Sequence, residues 1–142
     1  MADVFSIHNK AAKILVVDDM ALSRVTGRKL LIELGFKAID MAENGEIAWT
    51  MIEKAIADQA PYCLLISDWM MPVLDGMGLL RRTKKLESEN YLPMILSTAE
   101  SDAGQVVEAV KQGIAAYVRK PLTRESLLSA LERVTAKEQQ SG

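Results

Sequence analysis

Only one cysteine and one histidine occur among the 142 residues. The lone Cys63 cannot form an internal disulfide, which points to a reducing, cytoplasmic setting. The single histidine, His8, lies in a polar stretch ahead of the first apolar run. A histidine general base, a catalytic triad and a His/Cys zinc centre are therefore all disfavoured. No apolar run approaches the roughly 20 residues of a membrane span. Met1 to Lys10 lacks the apolar centre of a signal peptide. The net charge of −2 offers no global basic field for nucleic acid or an anionic membrane. The groups left for chemistry are carboxylates, hydroxyls, Lys120 and a hard metal ion.

What is present is an ordinary globular mixture, 49% apolar and 25% charged, of a size expected for one domain. Five short apolar runs stand out: Ile14 to Val17, Ala38 to Met41, Cys63 to Ile66, Met94 to Leu96, and Ala116 to Val118. Four are continuously apolar, the pattern of strands buried on both faces. The second contains Asp40 and reads as an edge strand.

Segments with helical spacing lie between and after these runs. Gly27, Leu30, Leu31 and Leu34 form one stripe, ending at Gly35 as a C′ glycine. Ala48, Met51, Ile52 and Ala55 follow Asn44, a candidate N-cap. Leu79, Leu80, Thr83 and Leu86 make the third stripe. Ala103, Val107 and Val110 precede Gly113, a second C′ candidate. Leu127, Leu128, Leu131 and Val134 follow Thr123, a further N-cap candidate. The stretch from Ala55 to Pro61 is long enough to extend the second helix.

Parallel strands need crossovers, and helices supply them here. The expected fold is α/β: a doubly wound, flavodoxin-like sheet of five parallel strands in the order 2-1-3-4-5, with five helices. Residues 12–136 form the expected domain. Residues 1–11 read as a loose leader and 137–142 as a frayed tail.

Ligands of such sheets bind beyond the carboxyl ends of the strands. There the first strand ends in Asp18-Asp19, the third in Ser67-Asp68, the fourth in Ser97-Thr98, and the fifth in Arg119-Lys120-Pro121. Two carboxylates about 4 Å apart repel by roughly 4 kcal/mol at an effective dielectric near 20. Either one keeps its proton or a cation binds between them. A cluster of carboxylate oxygens suits Mg²⁺. Taken singly, Asp18-Asp19 also reads as a helix N-cap and Asp68 as a loop residue. It is the coincidence of all these groups at strand ends that argues for a site.

Leu15-Val16-Val17-Asp18-Asp19, Ile66-Ser67-Asp68-Trp69-Met70-Met71-Pro72 with Asp75-Gly76, Ser97-Thr98-Ala99-Glu100 and Tyr117-Val118-Arg119-Lys120-Pro121 together resemble the response regulator receiver domain of two-component systems. The spacing of Asp68, Thr98 and Lys120 fits as well. Trp69 and Leu34-Gly35-Phe36 resemble the chemotaxis branch of that family.

The resemblance implies roles residue by residue. Asp68 is the phosphoacceptor. Asp18, Asp19, Asp68 and the backbone carbonyl of Met70 are the Mg²⁺ ligands. Lys120 pairs with the acceptor and then with a phosphoryl oxygen, and Pro121 follows a cis peptide bond. Thr98 turns toward the phosphoryl group, Ala99 leaves room beside it, and Tyr117 changes rotamer with it. The implied donor is a sensor histidine kinase. The implied output is protein contact through the fourth helix, fifth strand and fifth helix, with a target such as a flagellar motor component. A phosphatase is a possible further partner, and neither nucleic acid nor membrane is implied. With only residues 137–142 after the expected domain, a separate output domain is not expected in this chain; a receiver acting within a longer regulator or another phosphorelay is the alternative.

Two departures stand out. Met70 is apolar and Glu100 acidic at positions that, in the family, flank the attacking water and influence acyl-phosphate lifetime. The rival reading is an aspartate-nucleophile phosphatase. Such an enzyme wants an acid/base carboxylate where Met70 stands, and a substrate cap for which there is no room. No Gly-rich nucleotide loop follows the first strand. Arg81-Arg82-Thr83-Lys84-Lys85 reads as a solvated helix face rather than a nucleic-acid site.

Overall fold

A computed structural model describes residues 5–99 and 103–141. The strands are β1 (Lys13–Val17), β2 (Ala38–Ala42), β3 (Leu64–Asp68), β4 (Met94–Thr98) and β5 (Ala116–Arg119). The helices are α1 (Ala21–Glu33), α2 (Gly45–Ala57), α3 (Gly76–Lys84), α4 (Ala103–Lys111) and α5 (Arg124–Ser141). All four strand pairings are parallel, and the order is β2-β1-β3-β4-β5. This is the doubly wound, flavodoxin-like sheet expected from the sequence.

Alternation along the strands divides the core in two. Leu15, Val17, Leu65 and Leu96 pack beneath α2, α3 and α4 with Ala48, Ile52, Leu79, Leu80 and Ala109. Ile14, Val16, Leu64, Ile66 and Ile95 pack beneath α1 and α5 with Leu31, Leu127 and Leu131. Strands buried from both sides must be apolar throughout, and the pattern of β1, β3 and β4 follows from that. No helix among the described residues is long and apolar enough to cross a membrane.

The punctuation marks behave as their chemistry requires. Gly35 and Gly113 end α1 and α4 at φ +101° and +95°, the left-handed region that a Cβ disfavours. Asn44 caps α2 by accepting from Ile47 N at 2.9 Å. Thr123 Oγ1 accepts from Ser126 N at 3.1 Å at the start of α5.

Three expectations need correction. The segment before β1 is not loose over its described part: Phe5 and Ile7 are buried, and Phe5 stacks on Phe36 with centroids 6.1 Å apart. Ile7 N also donates to Thr135 Oγ1 at 2.9 Å, tying this segment to α5. At the other end α5 continues to Ser141, through the stretch read as a frayed tail. Finally, α2 stops at Ala57, and residues 58–63 form a loop instead of a longer helix.

Candidate phosphoacceptor site

The β1–α1 turn is built around Asp18. Its N donates to Ala42 O at 3.1 Å, prolonging the pairing with β2 by one residue. Its Oδ1 accepts from Met20 N at 2.9 Å, which turns the chain into α1. Neither Asp18 nor Asp19 is the N-cap that their sequence also suggested: Met20 takes that place without a side-chain cap, and Asp18 only closes the turn ahead of it, while its second oxygen faces the site.

Asp68 closes β3. Ser67 Oγ donates to the Asp68 carbonyl at 2.9 Å, and Trp69 N donates to Ser97 O at 3.0 Å. The loop returns at Gly76, whose N donates to Trp69 O at 2.9 Å. A Cβ on Gly76 would stand 2.4 Å from the Asp68 carbonyl oxygen. Only glycine permits that approach, and the approach fixes the backbone behind Asp68.

Lys120 arrives from β5, its N bonded to Thr98 O at 2.8 Å. Its ammonium lies 2.6 Å from Asp18 Oδ2 and 3.1 Å from Asp68 Oδ2. The Lys120–Pro121 peptide bond is cis.

Oxygens of Asp18, Asp19 and Asp68 all lie within 4.8 Å of one another. Asp18 and Asp68 are buried and Asp19 is exposed. Burial pushes the Asp68 carboxyl above its usual value, and Asp18 and Asp19 add to the push against the opposing pull of Lys120. Burial alone would lower Lys120, but its hydrogen bond to Asp18 and the nearby Asp68 hold it above its ordinary value. One ammonium among three carboxylates leaves an excess of negative charge on hard oxygen donors. That donor set fits a divalent cation.

Thr98 is buried at the end of β4, and Ala99 is exposed just beyond it. Tyr117 lies outward on β5, 37% exposed. The Arg133 guanidinium is 5.8 Å from its ring centroid, and Arg133 Nη2 donates to the Tyr117 carbonyl at 3.1 Å. The structure thus gathers Asp18, Asp19, Asp68 and Lys120 tightly, with Thr98 linked through the backbone of Lys120. Tyr117 faces solvent. Met70 is exposed, and Trp69 is packed in the core directly after Asp68. Glu100 lies outside the described residues.

One contact had no sequence signal. Arg24 Nη1 donates to the Asp18 carbonyl at 2.7 Å. In the basic run of α3, Arg82 is engaged with Glu46 through bonds of 2.7 and 3.1 Å.

A doubly wound parallel sheet with three carboxylates and a lysine gathered at the carboxyl ends of its strands defines an α/β protein with a candidate cation site there. The chain belongs to the response regulator receiver domain family, whose model matches residues 14–132. Chemotaxis protein CheY-3 of Vibrio cholerae is 34% identical over 129 residues, covering 91% of this chain and 95% of that relative. Chemotaxis protein CheY of Pseudomonas aeruginosa is 35% identical over 122 residues, 86% of this chain and 94% of its own. The solved structure of CheY4 of Vibrio cholerae superposes with a TM-score of 0.73 at 28% identity, over 87% of this chain and 98% of that one. A receiver domain protein from Clostridium thermocellum gives 0.77 at 27% identity, over 92% and 99%. As a receiver, the chain is a phosphoryl acceptor and not a turnover enzyme.

Proposed function

We propose that Asp68 takes a phosphoryl group from the phosphohistidine of a sensor kinase, and that Mg²⁺ is held by Asp18, Asp19, Asp68 and the Met70 carbonyl. The observation that carries this reading is the meeting of three carboxylates and Lys120 at the ends of β1, β3 and β5. An Asp68 oxygen attacks phosphorus in line. The bond from phosphorus to the donor nitrogen breaks, and its electron pair returns to the imidazole. Phosphoryl transfer depends mainly on positioning and charge neutralisation. Lys120 supplies one positive charge at the acceptor, and bound Mg²⁺ supplies the rest of the neutralisation. The product is an acyl phosphate with about two negative charges.

Thr98, Ala99 and Tyr117 are the proposed link to an output face on α4, β5 and α5. Between α4 and α5 a groove of about 330 Å³ is lined by Val110, Tyr117, Arg133 and Lys137, among others. The names of the relatives, chemotaxis proteins, support a chemotaxis role; a flagellar motor component as target and a phosphatase as a further partner belong to the same proposal. The cytoplasm is the compartment that fits a kinase-fed receiver.

The test is treatment with acetyl phosphate and Mg²⁺, followed by mass spectrometry and borohydride trapping. One added phosphoryl group should map to the peptide containing Asp68. Stoichiometric label in Asp68→Ala would remove the assignment.

A further inference from the structure

Both acidic residues that follow β1 sit on a turn closed from α1. Arg24 lies in the first turns of α1, and its side chain runs back against the chain direction to the Asp18 carbonyl, 2.7 Å away. Asp18 is thereby held at four atoms. Its N is on Ala42 O, its O on Arg24, its Oδ1 on Met20 N and its Oδ2 on Lys120.

The carbonyl that Arg24 holds belongs to the peptide joining Asp18 to Asp19. That peptide is planar, so fixing its carbonyl fixes the direction in which the chain enters Asp19. Asp19 is exposed. Among the described residues, no side chain makes a hydrogen bond or ion pair to its carboxylate. The placement of Asp19 toward Asp18 and Asp68 therefore rests on the backbone, and Arg24 is the side chain that secures that backbone.

We propose that Arg24 is a positioning residue for the cation site, acting through the Asp18–Asp19 peptide and touching neither cation nor phosphoryl group. The proposal rests on the reading of Asp18, Asp19 and Asp68 as the Mg²⁺ site. A guanidinium suits the task because its donors are fixed in a plane. Partners that orient ligands from outside the coordination shell typically govern metal affinity by about 10- to 100-fold.

A competing effect has the opposite sign. Arg24 is a cation bonded to the turn that carries Asp18 and Asp19, and its charge alone would oppose the binding of a second cation. Removing it would tighten Mg²⁺ binding if charge dominated, and weaken it if positioning dominates.

The experiment is a Mg²⁺ titration of wild type, Arg24→Met and Arg24→Lys, followed by Trp69 fluorescence. Thermal melts check the fold, and metal-free amide NMR shifts are read at Asp18, Asp19 and Met20. Arg24→Met should bind Mg²⁺ about 10- to 100-fold more weakly and move those three amides before any metal is added. Phosphorylation of Asp68 by acetyl phosphate should shift to higher Mg²⁺ concentration by the same factor. Arg24→Lys, which keeps the charge but not the planar fork, should lie between the two; it carries the test if Arg24→Met does not fold. Any folded Arg24 variant that binds Mg²⁺ as tightly as wild type, or more tightly, overturns the proposal. If wild type binds and Asp19→Asn is impaired while Arg24→Met is not, only the role of Arg24 falls. If wild type fails to bind Mg²⁺ at millimolar concentration, the site reading falls and the proposal with it.

Discussion

Lys120 lies closer to Asp18 than to Asp68, 2.6 Å against 3.1 Å. The resemblance paired this lysine with the acceptor, yet its shorter contact is to a proposed metal ligand. The ammonium and a divalent cation therefore compete for the same oxygens. Removing a unit charge a few ångströms from a cation site should strengthen binding, and about 1.4 kcal/mol corresponds to a factor of ten. Lys120→Met is expected to bind Mg²⁺ about tenfold more tightly than wild type in a Trp69 fluorescence titration, while losing efficient phosphorylation. Weaker binding would show that the lysine organises the carboxylates instead of competing for them.

The raised carboxyl of Asp68 makes a pH prediction. A carboxyl whose folded pKa exceeds its unfolded value holds its proton more tightly in the folded state. At neutral pH, with Asp68 ionised, burial and the neighbouring Asp18 make that charge a cost. As pH falls through the raised value toward the ordinary 3.8, the cost is relieved and this group's contribution to stability improves. Without divalent cations, Asp68→Asn should be more stable than wild type where Asp68 is ionised, and the gap should narrow as pH falls through the raised value toward the ordinary 3.8. Urea midpoints in EDTA at several pH values measure it. A gap independent of pH would mean that Asp68 titrates as an ordinary carboxylate.

The described segment before β1 behaves as core. Phe5 is 1% exposed and stacked on Phe36. Truncating a buried phenylalanine typically costs about 3–5 kcal/mol. Phe5→Ala should lower unfolding stability by about 3 kcal/mol while leaving Asp68 able to accept phosphate. Thr135→Val removes the acceptor for Ile7 N and should cost about 1 kcal/mol. Chemical denaturation checks both, and a loss below about 0.5 kcal/mol for Phe5→Ala would return the segment to the status of a loose leader.

These cases mark what could be read in the sequence. Ile14 to Val17 and Leu64 to Ile66 announced buried parallel strands because burial on both faces forbids polar residues. Gly35, Gly113 and Asn44 announced helix ends because each solves a local backbone problem. Strand ends then brought Asp18, Asp19, Asp68 and Lys120 together by topology alone. Phe5 and Ile7 were illegible because their partners, Phe36 and Thr135, are remote in sequence and two apolar residues make no period. Arg24 was illegible because a side chain bonded to a backbone carbonyl leaves no residue pattern. The tail was misread because residues 137–141 continue a helix whose apolar stripe had already ended at Val134.

The final prediction concerns how phosphorylation reaches the far face. Thr98 is buried where β4 ends, and its carbonyl is held by Lys120 N at 2.8 Å. Leu96 pairs with Tyr117 and Thr98 with Arg119 across β4 and β5, so Thr98 and Tyr117 project from the same face of the sheet. Tyr117 is turned outward beside Arg133. A phosphoryl group on Asp68 brings about two negative charges and strong acceptor oxygens. Lys120 can meet part of that charge with or without Thr98. The Thr98 hydroxyl is expected to add a hydrogen bond that draws its loop inward, and a bond to a charged acceptor contributes about 1.5–3 kcal/mol. That corresponds to a shift of roughly 10- to 150-fold in a two-state equilibrium. Thr98→Ala should therefore accept phosphate at Asp68 but leave Tyr117 outward. Wild type and Thr98→Ala, phosphorylated to the same extent, should differ in amide NMR shifts across residues 103–131, with large changes in wild type alone. Because Tyr117 also contacts Arg133, Arg133→Gln should loosen the outward state and ease the inward turn in both backgrounds. Equal shift changes in wild type and Thr98→Ala would show that the signal leaves the acceptor by another route, with Lys120 and its bond to the β4 end as the remaining connection.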